Sequence, residues 1–201
     1  MYNKMEDNEF TDKDTIHSYL PLYRELLKTR KDTAKNVLEI GVWKGGSILM
    51  WHDYFQHSNV YGLDIMLNQI DFLENKERVK LRRGINAYDT KVVENFGDLR
   101  FDFLLDDGPH TIESMLFFVE HYSKLMTDDG ILIIEDIQSP LWINHILAKI
   151  PPELHKHCKT YNLMFEKNRY DDLVLVIDKS RSLEELAQVE LDLRLAGRIV
   201  V

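Results

Sequence analysis

Apolar residues occur along this chain in short strand-like runs, separated by stretches in which they recur at helical spacing. Residues 37–40, 60–63, 79–82, 101–105 and 131–134 read as five strands. Helical spacing marks residues 47–55, 67–73, 88–96 and 111–126 between them. A helix over 141–150 is stopped by Pro151 and Pro152. Residues 159–165 and 173–177 flank the polar turn 166–172 and read as an antiparallel hairpin. At the N-terminal side, Ile16, Leu20, Leu22, Tyr23, Leu26 and Leu27 suggest a helix capped by Asp14 or Thr15, with Pro21 as a kink. Residues 1–10 read as a frayed tail. Residues 183–195 are predicted to be a helix with acids on its exposed side, packed on the core or on a neighbouring chain.

Strands alternating with helices over short connections predict an α/β fold. The expected form is a Rossmann-like doubly wound, mostly parallel seven-stranded sheet with one reversed strand and helices on both faces. A length of 201 residues fits one domain. Three parts are expected within it: residues 1–30 as tail and entry helix, 31–180 as the core, and 181–201 as a helical tail. In such sheets ligands bind beyond the carboxyl ends of the strands, where Gly41, Asp64, Asp107 and Glu135 fall.

Two of those strand ends concentrate charge. The fourth strand runs into Asp106-Asp107-Gly108-Pro109-His110 and the fifth into Glu135-Asp136. Adjacent strand ends would bring four carboxylates and an imidazole together, which is self-repelling unless a cation sits among them. Asp107, Glu135 and Asp136 offer hard oxygens of the kind Mg²⁺ accepts, and His110 could take a proton from a hydroxyl. A zinc site is the weaker fit, because no second His or Cys stands at ligand spacing nearby. The plainer alternative makes the acids helix caps, Asp107 ahead of Thr111 and Asp136 ahead of Leu141.

The first strand carries Glu39 and opens into Gly41, Gly45, Gly46 and Ser47, a glycine turn leading to a helix start. This spacing is neither the phosphate loop nor the dinucleotide fingerprint. Asp64, ending the second strand, is placed to accept hydrogen bonds from ribose hydroxyls. The turn and Asp64 could also be a packing turn and a solvated acid.

These residues resemble the class I S-adenosylmethionine-dependent methyltransferases, over roughly residues 37–178. The resemblance implies that Asp64 binds the ribose, that the glycine turn through Gly41, Gly45 and Ser47 takes the methionine part, and that Glu39 holds its ammonium through its surroundings. Ile65 would lie against the adenine and Asn86 near its edge. The two acidic strand ends resemble more narrowly the metal-dependent sugar O-methyltransferases of macrolide biosynthesis, of the mycinamicin and demethylmacrocin type, with the cephalosporin hydroxylase-like group as a relative. That likeness implies Asp107, Glu135 and Asp136 as ligands of Mg²⁺ (or Mn²⁺), His110 as the base, and a carbohydrate or glycosylated small molecule as acceptor. Thr11-Asp12-Lys13, His17, Tyr19 and Tyr23 resemble that family's entry motif. The chain departs from it at Pro109 and lacks the large N-terminal portion of the macrolide enzymes. Whether it is a whole protein or one domain of a longer glycan-building enzyme stays open, and the abrupt start ahead of the entry motif makes the second an expectation.

Composition narrows the partners. A formal net charge of −9 without a basic run argues against nucleic acid. No apolar stretch has the length of a bilayer span, so no membrane partner is expected. One cysteine excludes an internal disulfide framework, and a cytoplasmic setting follows as the default. The C-terminal helix leaves room for a homo-oligomer. Competing readings are a catechol-type phenol methyltransferase and a cofactor-binding domain without catalysis. A hydroxylase would require an oxidant and a redox metal that nothing in the sequence demands.

Overall fold

A computed structural model describes the protein at residue 5, residues 10–67 and residues 70–199. Most of the expected tail, the pair 68–69 within the expected helix 67–73, and residues 200–201 lie outside the described residues.

The strands are β1 (Asn36–Ile40), β2 (Asn59–Asp64), β3 (Val79–Arg83), β4 (Phe101–Asp106), β5 (Met126–Ile134), β6 (Cys158–Asn162) and β7 (Leu173–Asp178). They form one sheet in the order β3-β2-β1-β4-β5-β7-β6. Pairings from β3 through to β5 are parallel, and β7 runs antiparallel to both its neighbours. This is the mostly parallel sheet with one reversed strand that the alternating pattern predicts. The strand order reverses between β1 and β4, which opens a crevice at their carboxyl ends.

Alternation along the central strands feeds two cores. Val37, Phe103, Leu105, Ile131 and Ile133 pack with α1 (Leu20–Leu27), α2 (Gly46–Tyr54) and α7 (Leu183–Leu195). Leu38, Leu104, Leu132 and Ile134 pack on the other face with α5 (Ile112–His121) and α6 (Trp142–Lys149). The C-terminal helix therefore closes the core of its own chain, through Leu186, Leu193 and the Tyr161 hydroxyl donated to the Leu186 carbonyl at 2.9 Å.

Several helices differ from expectation for local reasons. Helix α1 starts at Leu20, with Tyr19 as its uncapped N-cap. Pro21 lies in the first turn, where its missing N–H costs nothing, so it starts the helix instead of kinking it. The stretch ahead of it turns instead, with Ile16 and His17 N–H both donating to the Asp12 carbonyl. Helix α3 is confined to Asp71–Glu74. Helix α4 (Thr90–Glu94) starts where the Asp89 carboxylate accepts the Lys91 N–H. Helix α5 passes into a 3₁₀ turn at Tyr122–Leu125, and Met126 already belongs to β5. Among the described residues no helix is long and apolar enough to cross a membrane.

Asp178, fully buried at the end of β7, fastens the N-terminal helix to the sheet. It accepts from Arg30 at 2.6 Å, from Ser180 Oγ at 2.7 Å and from Arg181. Asp178→Ala would leave the Arg30 charge buried without its carboxylate, although its bonds to the Leu26 and Asp129 carbonyls and Ser180 Oγ remain. Urea denaturation should show a loss of about 3–5 kcal/mol, and a loss under ~1 kcal/mol would contradict this role.

Candidate active site

Strand parity distributes the acids before any side chain is considered. Glu39, Asp107 and Glu135 continue the parity of Val37, Leu105 and Ile133, on three adjacent strands facing α1 and α2. The ladder runs past the strand ends through Asp107 N–H to the Ile40 carbonyl (2.9 Å) and Glu135 N–H to the Asp106 carbonyl (3.3 Å). Asp106 has the opposite parity and accepts the Tyr88 hydroxyl.

Lys13 fills the space among the first three. Its ammonium donates to Asp107 Oδ2 at 2.8 Å and to Glu135 Oε1, and lies 3.6 Å from Glu39 Oε1. The side chain is 1% exposed. Tyr23 donates to the other oxygen of Glu135, while Ser47 and Trp51 donate to Glu39 Oε2 at 2.7 and 3.2 Å. Asp136 accepts the Tyr19 hydroxyl and lies 3.2 Å from His17 Nδ1, which sits 2.7 Å from Asp172. Lys13, His17, Tyr19 and Tyr23 all come from the short segment that enters the fold ahead of β1.

Burial and mutual repulsion set the protonation of this group. Burial alone would lower the Lys13 pKa, but Asp107, Glu135 and Glu39 together hold it well above its ordinary value. Glu39 is pushed up to about 7 by burial, against the pull of Lys13. Burial and the nearby Asp107 raise Glu135 and Asp136. Asp106 is driven up to about 6, again chiefly by burial. His17 is raised because Asp172 and Asp136 outweigh its desolvation.

Neither candidate acid caps a helix. The α5 cap is Thr111, in a reciprocal box with Ser114, and α6 begins at Trp142 after Leu141, an N-cap without a side-chain hydrogen bond. Instead, Nε2 of His110 stands 3.8 Å from Asp107 Oδ1 and 3.6 Å from Asp136 Oδ2. Asp107, His110 and Asp136 can each present one ligand atom, all within 4.8 Å of one another. Glu135 stands outside that trio, with its oxygens turned to Lys13 and Tyr23. A carboxylate has roughly four acceptor positions, so Glu135 keeps capacity beyond these two donors. The hard oxygens at this mouth suit a divalent cation. A second grouping, His17 with Asp136, Asp171 and Asp172, is largely engaged internally: Arg169 binds Asp171 through two nitrogens and His17 bridges Asp136 and Asp172 Oδ1, which leaves Asp172 Oδ2 buried without a hydrogen-bond partner.

A cavity of about 450 Å³ opens at the sheet crevice. Gly41, Asp64, Ile65 and Asn86 line it together with Asp107, His110 and Asp136. Glu39, Gly45 and Ser47 do not reach it. Glu39 is fully buried, Ser47 is turned onto it, and a Cβ on Gly45 would meet Leu73. Asp64 organises the turn beside it, since Oδ2 accepts the N–H groups of Val42 and Trp43 at 2.8 Å each. Gly41 has φ +88°, and a Cβ there would lie 1.8 Å from the Asp107 carbonyl. This glycine is required by the loop carrying Asp107, before any ligand is considered. The volume and the apolar walls of Leu63, Ile85 and Ala87 suit a nucleoside-sized ligand. Trp43, His110 and Asp136 line the cavity with φ of +44°, +53° and +54°. Strained backbone of this kind concentrates where side chains must be aimed.

Sequence reasoning missed Lys13 as a buried ion partner, along with Tyr88, Trp43 and Asp172. The parity of Glu39, Asp107 and Glu135 was the available signal for a cation on that face.

Residues 38–137, about half of the chain, match the family described as a methyltransferase domain. Mycinamicin VI 2''-O-methyltransferase of Micromonospora griseorubida is 27% identical over 152 residues, which is 70% of this chain and 37% of that protein. A tetracenomycin-type rhamnosyl 2'-O-methyltransferase of Streptomyces olivaceus is 27% identical over 66% of this chain and 36% of its own length. The chain thus spans little more than a third of these curated relatives. The structure of MycE methyltransferase in complex with Mg, SAH and mycinamycin VI superposes with a TM-score of 0.64 at 21% identity. That match covers 84% of this chain and 51% of the other. An O-methyltransferase from Bacillus cereus in complex with SAH gives a TM-score of 0.59 at 20% identity, over 79% of this chain and 80% of its own. The two structures share the fold found here.

Asp106 carries a pH dependence of stability. Its raised value means that the folded state binds the proton more tightly than the unfolded chain. The stabilisation is therefore complete below the ordinary value of 3.8 and is lost as pH rises through about 6. In chelator-treated protein, Asp106→Asn should flatten the stability profile over that window by a few kcal/mol, followed by denaturant titration. An unchanged profile would show that Asp106 ionises freely.

Proposed function

Since the chain belongs to the class I S-adenosylmethionine-dependent methyltransferases, we propose that it methylates a sugar hydroxyl of a glycosylated small molecule or glycan, with help from Mg²⁺ or Mn²⁺. The observation that carries this reading is the trio of Asp107, His110 and Asp136 at the mouth of the cavity that also contains Asp64. A ribose-binding acid and a hard-oxygen site thereby share one space.

In this reading Asp64 receives the ribose hydroxyls, and Ile65 and Asn86 flank the base. Glu39, Gly45 and Ser47 act from beneath, by shaping the turn through the Ser47–Glu39 hydrogen bond. Asp107 and Asp136 hold the divalent ion with Glu135 beside them. When bound, the ion supplies positive charge that lowers the pKa of an acceptor hydroxyl. His110 takes the released proton on Nε2 as the hydroxyl oxygen attacks the methyl carbon and the carbon–sulfur bond breaks. The relatives named for sugar O-methylation support a carbohydrate acceptor, because alkyl hydroxyls are poor acids and need both aids. Half-exposed Trp43 and exposed Ile65 at the rim help to exclude water. Buried Cys158, its thiol pushed up to about 12 by burial, takes no part and suits a reducing, cytoplasmic setting.

The test is transfer of labelled methyl to a panel of glycosides with vicinal hydroxyls, set against catechols. His110→Ala should lower turnover by about 10²–10⁴-fold while leaving donor binding, measured by calorimetry, nearly unchanged. Asp107→Ala should abolish the response to added Mg²⁺. Full activity in EDTA would refute the metal role.

A further inference from the structure

We infer that Lys13 is a fixed counter-cation that competes with the divalent ion for the strand-end acids, and so limits how tightly that ion is held. This rests on the metal reading above and adds a positioning residue to it.

Three geometric facts lead here. Lys13 is the buried cation in contact with Glu39, Asp107 and Glu135 at once. Asp107 is shared: Oδ2 faces the ammonium at 2.8 Å, while Oδ1 turns towards His110 at the open trio. Glu135 is held out of that trio by Lys13 and Tyr23. A positive charge one carboxylate away from the ion's position opposes its binding, and burial lets that opposition act with little screening. The same ammonium keeps the acids from repelling one another when no ion is bound. Lys13 would thus hold the acids assembled while keeping the ion exchangeable.

A purely structural ion pair would predict something else: loss of stability on removing Lys13, with ion affinity unmoved. Mn²⁺ titration of the full chain, read by electron paramagnetic resonance, separates the two. Lys13→Met should tighten Mn²⁺ by about tenfold or more, and Lys13→Arg, which keeps the charge, should stay within about threefold of the parent. Binding by Lys13→Met where the parent binds none would support the inference in its strongest form. Equal or weaker Mn²⁺ binding by Lys13→Met than by the parent would overturn it while leaving the metal site standing. Absence of binding in both proteins would overturn the metal reading itself. Should Lys13→Met fold only with Mn²⁺, a Mn²⁺-dependent melting transition supports the inference. A variant that stays unfolded at saturating Mn²⁺ counts against it.

Discussion

The ion pairs of Lys13 are the constraint on which the site depends. A parallel sheet brings the ends of β1, β4 and β5 together, and each carries an acid at or beside its last residue. Burying several carboxylates side by side is prohibitive without a compensating cation. Lys13 supplies it from outside the sheet, Tyr23 takes the second oxygen of Glu135, and Tyr19 and His17 engage Asp136. The acids can then remain assembled, close to the cavity and partly free on the Asp107 and Asp136 side.

This arrangement divides labour between two stretches of chain. Residues 38–137, which match the methyltransferase family, provide the sheet ends, the glycine turn and His110. Lys13, His17, Tyr19 and Tyr23, which engage Asp107, Glu135 and Asp136, come before residue 38. Helix α1 and the Arg30–Asp178 pair fix that earlier segment to β7, so stability of the reversed strand and geometry of the site are linked. Backbone strain adds to the positioning, since His110 and Asp136 both adopt left-handed φ where they turn into the cavity.

Much of the fold was legible because hydrophobic alternation and strand length report directly on a doubly buried sheet. The seven strands, the reversed β7 and the extent of α7 follow from that pattern. Helix edges were less legible where local chemistry decides. Pro21 starts α1 instead of bending it, and Thr111, not Asp107, caps α5. At the site, Asp107, His110, Asp136, Asp64 and Gly41 meet around one cavity as their strand-end positions suggest. The burial of Glu39 and Ser47 was hidden, because strand parity decides which face a side chain takes and the glycine turn alone does not. Lys13 was hidden for a deeper reason. A lone lysine in an irregular segment carries no periodic signal, and its partners stand 94 and 122 residues away in the chain.

The central claim is that a divalent ion belongs at the strand-end acids, beside a lysine that stays charged. Anomalous diffraction from crystals soaked in Mn²⁺ tests it most directly. The account predicts a peak in contact with Asp107 and Asp136, with the Lys13 ammonium still within reach of Glu39. Carboxylates of Asp107 and Asp136 turned apart with no peak between them would contradict it.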